Sequence, residues 1–271
     1  MKRNMLLNKI ILLHDLFALA RLAGSVRVAY EYLKRDHPRD MLNGKFKNIP
    51  FTARYGDWPA LREVFLYDEY GCIKQLLAGC PRPTVLDIGA HIGSFALYLL
   101  AHYPNAKVIS FEPTADTQKI LQRNKALNPI ADWQIIHAAV WKNNEDVFIQ
   151  HSESSVGNRI ADTDGERTRG ISPQEILNSF VPDQIDFIKM DIEGAEAQVI
   201  PASEPLLERA RYLMIEIHND RIDNGEEVLS LIKKHFPFLY RIKDRSSEKP
   251  VFLCCKAEAP HLKNWVKVLQ G

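Results

Sequence analysis

The stretch Val85-Leu86-Asp87-Ile88-Gly89-Ala90-His91-Ile92-Gly93-Ser94-Phe95 joins an apolar run that reads as a buried strand to one that reads as a helix. In an open α/β sheet, ligands bind at the carboxyl ends of the strands. Gly89 permits a sharp turn off the strand, Gly93 lets the next helix pack close, and the helix N-terminus offers free N–H groups. Asp87 decides which ligand fits: a carboxylate at that strand end repels a pyrophosphate and holds a cationic amino group. Glu112 ends the following strand, where an acid accepts two hydrogen bonds from a ribose diol. His91 occupies what would be the second glycine of a nicotinamide-binding G-x-G-x-x-G. A ribose, an ammonium and no diphosphate together point to S-adenosylmethionine, with Asp87, Gly89, His91, Gly93 and Glu112 as its contacts.

A second constellation runs Ile185-Asp186-Phe187-Ile188-Lys189-Met190-Asp191-Ile192-Glu193-Gly194-Ala195-Glu196. Lys189, Asp191 and Glu193 alternate with apolar residues, so they share a direction on an extended chain. Asp191 and Glu193 fall where that strand leaves the sheet, at its ligand-binding edge. Methyl transfer to an alcohol is an in-line displacement on a sulfonium, and the acceptor's proton must be removed. Asp191 is the first candidate base. His218, at the end of the next strand, is the second and has the better intrinsic pKa. The alternatives are that Asp191 holds the cofactor's ammonium, Glu193 is a helix N-terminal acid favoured by the dipole, and His218 bonds a neighbouring carbonyl. Glu193 is grouped with the cofactor contacts. So is Ala139, in His137-Ala138-Ala139-Val140, where small residues leave room for the flat adenine. Asp191, Glu216 and His218 could hold a hard divalent ion, but their spacing matches no established signature and no metal is expected.

Asp87-Ile-Gly-Ala-His-Ile-Gly93 and Lys189-Met-Asp-Ile-Glu-Gly-Ala-Glu196 together resemble the FkbM-type methyltransferases. So do Arg62-Glu63-Val64-Phe65 followed by Glu69-Tyr70-Gly71, and Ile215-Glu216-Ile217-His218. The resemblance spans roughly residues 50 to 220 and keeps the family's motif order. It implies S-adenosylmethionine-dependent transfer, usually to a hydroxyl oxygen of a sugar, lipid or natural product. The chain departs from the family at His91, where Asn is common.

Short apolar strands alternating with helices must position these residues: Thr84–Ile88, Lys107–Phe111, Trp133–His137, Ile185–Met190 and Arg211–Ile217, with helices over Ser94–Tyr103, Thr114–Leu127 and Asn224–His235. Phe238–Ile242 and Val251–Cys255 read as a closing strand pair, and Leu262–Leu269 as a helix. The fold class expected is α/β, a Rossmann-like (class I) methyltransferase with a mostly parallel seven-stranded sheet and helices on both faces. Residues 1–48 read as an N-terminal helical appendage, helical over 4–35, and 49–271 as the methyltransferase domain. Residues 48–57 look extended, and 142–182 read as a loop-rich insertion leading to the site.

Composition excludes other classes. Lys+Arg is 35 against Asp+Glu 34 in 271 residues, a formal net charge of +1, so no global field holds a polyanion. No Asn/Asp-Pro-Pro-aromatic tetrapeptide follows the fourth strand; among methyltransferases that motif goes with exocyclic base amines, so the resemblance implies an acceptor other than nucleic acid. The four cysteines form no CxxC pair and read as reduced thiols. The N-terminal apolar run is too short and interrupted for a signal peptide, and no window suits a spanning helix, so a cytoplasmic protein is expected. The basic N-terminal helices are a candidate homodimer or membrane-surface contact. The acceptor expected is a small molecule or glycan. The competing readings are a nicotinamide oxidoreductase on the same fold and a non-catalytic cofactor-binding adaptor.

Overall fold

The computed structural model describes residues 16–24, 29–30, 41–152, 157–161, 163–181, 183–243, 245–259 and 262–268. A hairpin leads, β1 (Met41–Phe46) pairing antiparallel with β2 (Ile49–Arg54). The central parallel strands are β3 (Thr84–Ile88), β4 (Lys107–Phe111) and β5 (Asp132–Ile136). Short strands β6 (Ala139–Val140), β7 (Val147–Gln150), β8 (Arg159–Ala161), β9 (Glu166–Thr168) and β10 (Gly170–Ile171) follow. The chain then adds β11 (Ile185–Met190), β12 (Ala210–Glu216), β13 (Phe238–Ile242), β14 (Val251–Cys255) and β15 (Trp265–Lys267). The main sheet runs β15-β13-β14-β12-β11-β3-β4-β5, parallel from β12 to β5 and antiparallel from β14 outward. This is a Rossmann-like fold.

Pleating explains the apolar strands. Val85, Val108, Phe187 and Met214 point into one core, and Leu86, Ile109, Ile188 and Leu213 into the other. Both faces are buried, so the strands read as continuous apolar runs. Helices α1 (Ser94–His102) and α2 (Ala115–Leu127) pack on the first face. Helix α3 (Pro173–Ser179), the short α4 (Glu196–Val199) and α5 (Glu204–Arg209), and α6 (Gly225–Lys233) pack on the second.

The expected architecture changes in three places. The sheet has eight strands, not seven, because residues 265–267 form a strand rather than part of a helix. They pair with the otherwise open edge of β13 and bury the Trp265 ring, which outweighs local helical patterning. The extended segment expected from residue 48 begins at Met41, so the expected boundary at 48/49 falls inside a hairpin whose Leu42 and Phe51 share a core with Phe95 of α1. The insertion is more ordered than a loop: β7 is flanked by β8 and β9, because Val147 and Ile149 alternate as buried residues with Phe148 and Gln150. Wide π-helical turns over Arg62–Leu66 continue a short helix at Trp58–Leu61. The helical reading of 4–35 falls mostly outside the described residues, and within it 16–23 and 29–30 are helical. No helix among the described residues is long and apolar enough to cross a membrane.

Candidate active site

The chain leaves β3 in a turn that alternates into the left-handed region, with φ of +79° at Gly89, +52° at His91 and +86° at Gly93. Only glycine fits at Gly89: a Cβ there would lie 1.8 Å from the Asp191 carbonyl oxygen. That closeness brings the exits of β3 and β11 together. Gly89 and Ala90 N–H groups donate to Phe111 O, and Asp191 N–H donates to Ile88 O, which ties in β4 as well. Gly93 has no room for a side chain against Leu121 and Trp133, so α1 starts close to the sheet.

A cleft opens above these exits. Gly89, His91, Glu112, Ala139, Asp191 and Glu193 all line it. Glu112 is held rigidly: Oε2 accepts from His91 N–H and Oε1 from Thr114 N–H, each at 2.9 Å. Each oxygen keeps a second lone pair for a hydroxyl in the cleft. Asn158 and Ile160 of the insertion also reach the cleft wall. The His91 ring lies 3.4 Å from the buried Asp57 carboxylate. Burial alone would raise the Asp57 carboxyl, but His91 and the Arg54 guanidinium hold it well below the usual range.

Three expected site residues lie beneath the cleft instead. Gly93 shapes the turn without lining it. Asp87 is fully buried, accepts from Ser110 Oγ at 3.1 Å and lies 3.8 Å from Lys189 Nζ. Burial pushes its carboxyl up to about 6, against the pull of Lys189 and Ser110. In this structure Asp87 lies beneath the cleft and not on its wall. It orders Lys189, whose Nζ donates to Gly89 O at 2.6 Å and lies 3.8 Å from Asp191 Oδ2.

His218 is the third. It is 1% exposed, with Nδ1 2.9 Å from Glu196 Oε1 and Nε2 3.1 Å from Glu193 Oε2. Nδ1 hydrogen-bonds to Glu196, and Nε2 faces Glu193 at ion-pair distance. Burial alone would lower its pKa, but Glu193 and Glu196 push it up to about 10. The ring is therefore an imidazolium at neutral pH and has no lone pair to take a proton. Asp191, Glu193 and His218 bring ligand atoms within 4.8 Å of one another, and in this structure the imidazole faces Glu193 and Glu196. The cluster is an ion-pair network. Arg221 Nη1 completes it, 2.7 Å from Glu193 Oε2 and donating to the Glu193 carbonyl at 3.1 Å. Those bonds hold Glu193 at φ +55°, an uncommon conformation for a residue with a side chain. Burial would raise the Glu193 carboxyl, whereas His218, Arg221 and Lys249 hold it low.

Asp191 is the exposed member of the network, its side chain 33% accessible. Its Oδ1 makes no hydrogen bond and lies 3.8 Å from His218 Nε2. Sequence reasoning gave no role to four groups that share this cleft or its supports. Glu63, Glu69 and Tyr70 line it, and Glu196 fixes the second nitrogen of His218. The Arg62–Phe65 and Glu69–Gly71 motifs were the available signal for the first three.

Comparison with known proteins places this cleft in context. The profile described as Methyltransferase FkbM domain matches residues 87–242. Methyltransferase sdnD of Sordaria araneosa is 26% identical over 170 residues, covering 49% of this chain and 66% of that protein. Hexuronic acid methyltransferase AglP of Haloferax volcanii is 26% identical over 155 residues, covering 56% and 64%. The 2-O-methyltransferase NoeI of Sinorhizobium fredii is 24% identical over 177 residues, covering 58% and 72%. About a third of each of the first two lies outside the matched segment.

Proposed function

Because the chain belongs to the FkbM methyltransferase family, we propose that it uses S-adenosylmethionine to methylate a hydroxyl oxygen of a sugar, glycan or natural-product acceptor. The observation that carries this reading is Glu112, fixed by two backbone amides at the floor of the cleft, with Asp191 at the neighbouring strand exit. The residues fit the cofactor. Glu112 keeps lone pairs for both hydroxyls of a ribose, Ala138 and Ala139 leave space for a flat ring, and the Gly89 turn brings bare backbone to the ligand. Bound there, the cofactor supplies an electrophilic methyl group.

The chain supplies orientation and a proton acceptor. The accessible Asp191 carboxylate takes the acceptor's hydroxyl proton. The His218 imidazolium does not titrate at neutral pH and holds Glu193 and Glu196 in place beside it. Lys189 ties the Asp191 side to the Gly89 turn, so base and cofactor floor are positioned together. The hydroxyl acceptor is supported by the similarity to the 2-O-methyltransferase NoeI and the hexuronic acid methyltransferase AglP, both at low identity.

The test is calorimetry with S-adenosylmethionine and S-adenosylhomocysteine, followed by a methyl-transfer screen over sugars and hydroxylated natural products. Micromolar binding abolished by Glu112→Ala supports the reading. A folded protein that binds neither ligand overturns it.

A further inference from the structure

The β7–β8 ribbon turns a different set of side chains to each side. Ile149 and Ile160, opposite one another across it, reach the cleft. Phe148, Gln150, Arg159 and Ala161 alternate with them and point the other way, into a second groove of about 670 Å³. Trp141 and Lys142, from the start of the insertion, and Gln198 of α4 also line that groove. Ile160, Glu193 and Ala195 line both spaces and so form a shared partition, with Asp191 on its cleft side. A ligand held in the groove therefore lies next to the place where a hydroxyl would meet Asp191.

The groove's charges do not cancel. Its acids are already paired, Asp146 with Arg167 at 2.6 Å and Glu193 with Arg221 at 2.7 Å. Lys142 and Arg159 make no ion pair with any described residue. Arg159 is instead oriented by a neutral group: its Nε and Nη2 donate to Gln150 Oε1 at 3.0 and 2.9 Å. That support leaves the Nη1 end of the guanidinium for a ligand, and a guanidinium matches a carboxylate in both shape and charge. Trp141 is an independent observation. It is half-buried and lines the groove, whereas Trp58, Trp133 and Trp265 are each no more than 8% exposed. An accessible indole ring packs well against the apolar C–H face of a pyranose, whose hydroxyls then reach polar groups such as Gln150 and Gln198. Lys142 Nζ, 5.4 Å from the centre of the same ring, places a cation beside that surface.

We propose that this groove holds an acidic sugar of the acceptor, with its ring packed on Trp141 and its carboxylate paired with Arg159, beside the sugar that receives the methyl group. This rests on the methyl-transfer reading and narrows its acceptor to a carboxylate-bearing oligosaccharide. The full chain, as parent and as Arg159→Gln, would be titrated by calorimetry with trigalacturonate, trimannuronate and a hyaluronan tetrasaccharide, and with the uncharged methyl ester of each. Acrylamide quenching of tryptophan fluorescence would be recorded with and without each sugar in the parent and in Trp141→Phe. S-adenosylhomocysteine affinity would be measured on the same samples, and an unchanged melting temperature shows that the variants are folded. The expected result is that an acidic oligosaccharide binds the parent, and that its affinity falls about tenfold on esterification and in Arg159→Gln, the loss of one charge-assisted contact. It should also shield fluorescence in the parent and not in Trp141→Phe. Esters that bind as tightly as the acids, an Arg159→Gln protein that binds like the parent, or shielding that persists in Trp141→Phe overturns the proposal. A parent that binds S-adenosylhomocysteine but none of the acidic oligosaccharides overturns it too and leaves the methyl-transfer reading intact. A parent that binds an acidic oligosaccharide but not S-adenosylhomocysteine sinks that reading, and the acceptor role of the groove with it.

Discussion

Asp191 and His218 sit 3.8 Å apart at the exits of adjacent strands, yet their chemistry differs because their neighbours differ. Asp191 has an oxygen free of hydrogen bonds, whereas His218 is clamped between two carboxylates. Asp191→Asn should therefore lower kcat by about 10²–10⁴-fold, the usual contribution of a positioned base, and leave S-adenosylhomocysteine affinity nearly unchanged. Full turnover in that variant would remove Asp191 from the chemistry. His218 carries a stability prediction instead. Its pKa rises from an ordinary 6.5 to about 10 on folding, so the folded state binds more protons between those values. Its stabilisation is complete below pH 6.5 and is lost as pH rises through about 10. Glu216 acts with the same sign, losing its contribution as pH rises from 4.5 through about 8. Urea unfolding at pH 6, 8 and 10 should show falling stability, and Glu216→Gln should make the decline between pH 6 and 8 shallower while leaving that between 8 and 10 unchanged. Stability that rises over this range would contradict the ion-pair network.

At the scale of elements, the decisive contact is the approach of the β3 turn to the β11 exit. Gly89→Ala combines a positive φ with a backbone collision and should destabilise by at least about 2 kcal/mol, read as a lower urea midpoint. A second joint is Asn124 of α2, fully buried. Its Oδ1 accepts from Thr52 N–H at 2.7 Å, and its Nδ2 donates to Thr52 O at 3.0 Å and to Ile92 O at 2.7 Å. Asn124→Leu should cost about 2–4 kcal/mol by orphaning these buried groups, and an unchanged midpoint would show that the joint carries nothing. Such elements were unevenly legible in the sequence. Thr84–Ile88, Lys107–Phe111 and Ile185–Met190 are readable because strands buried on both faces are apolar throughout and end at glycine or acid. Trp265–Lys267 is not, since its strand state depends on the edge of β13, formed more than twenty residues earlier. The cleft-lining Gly89, Glu112 and Asp191 are readable because strand ends fix their positions. The burial of Asp87 and the double clamping of His218 are not, because they depend on Ser110, Lys189 and Glu196 from elements folded against them.

Taken as a whole, the molecule keeps its charge balance of 35 basic to 34 acidic side chains by separating the signs locally. The cleft gathers acids, supported from below and behind by Lys189, His218 and Arg245. The β13 edge of the sheet is closed by only three residues, with Trp265 buried against the core. Truncation after Leu262 would expose that edge and leave the Trp265 site empty. It should lower the melting temperature and raise concentration-dependent aggregation, measured by light scattering during thermal unfolding. A truncated chain that melts and scatters like the parent would show that β15 protects nothing.

The clamped imidazole also changes how this protein should answer a common laboratory question. Acylating reagents such as diethylpyrocarbonate attack a histidine through an unprotonated ring nitrogen, and at neutral pH His218 offers none and barely meets solvent. Retained activity after such treatment would therefore not show that His218 is dispensable.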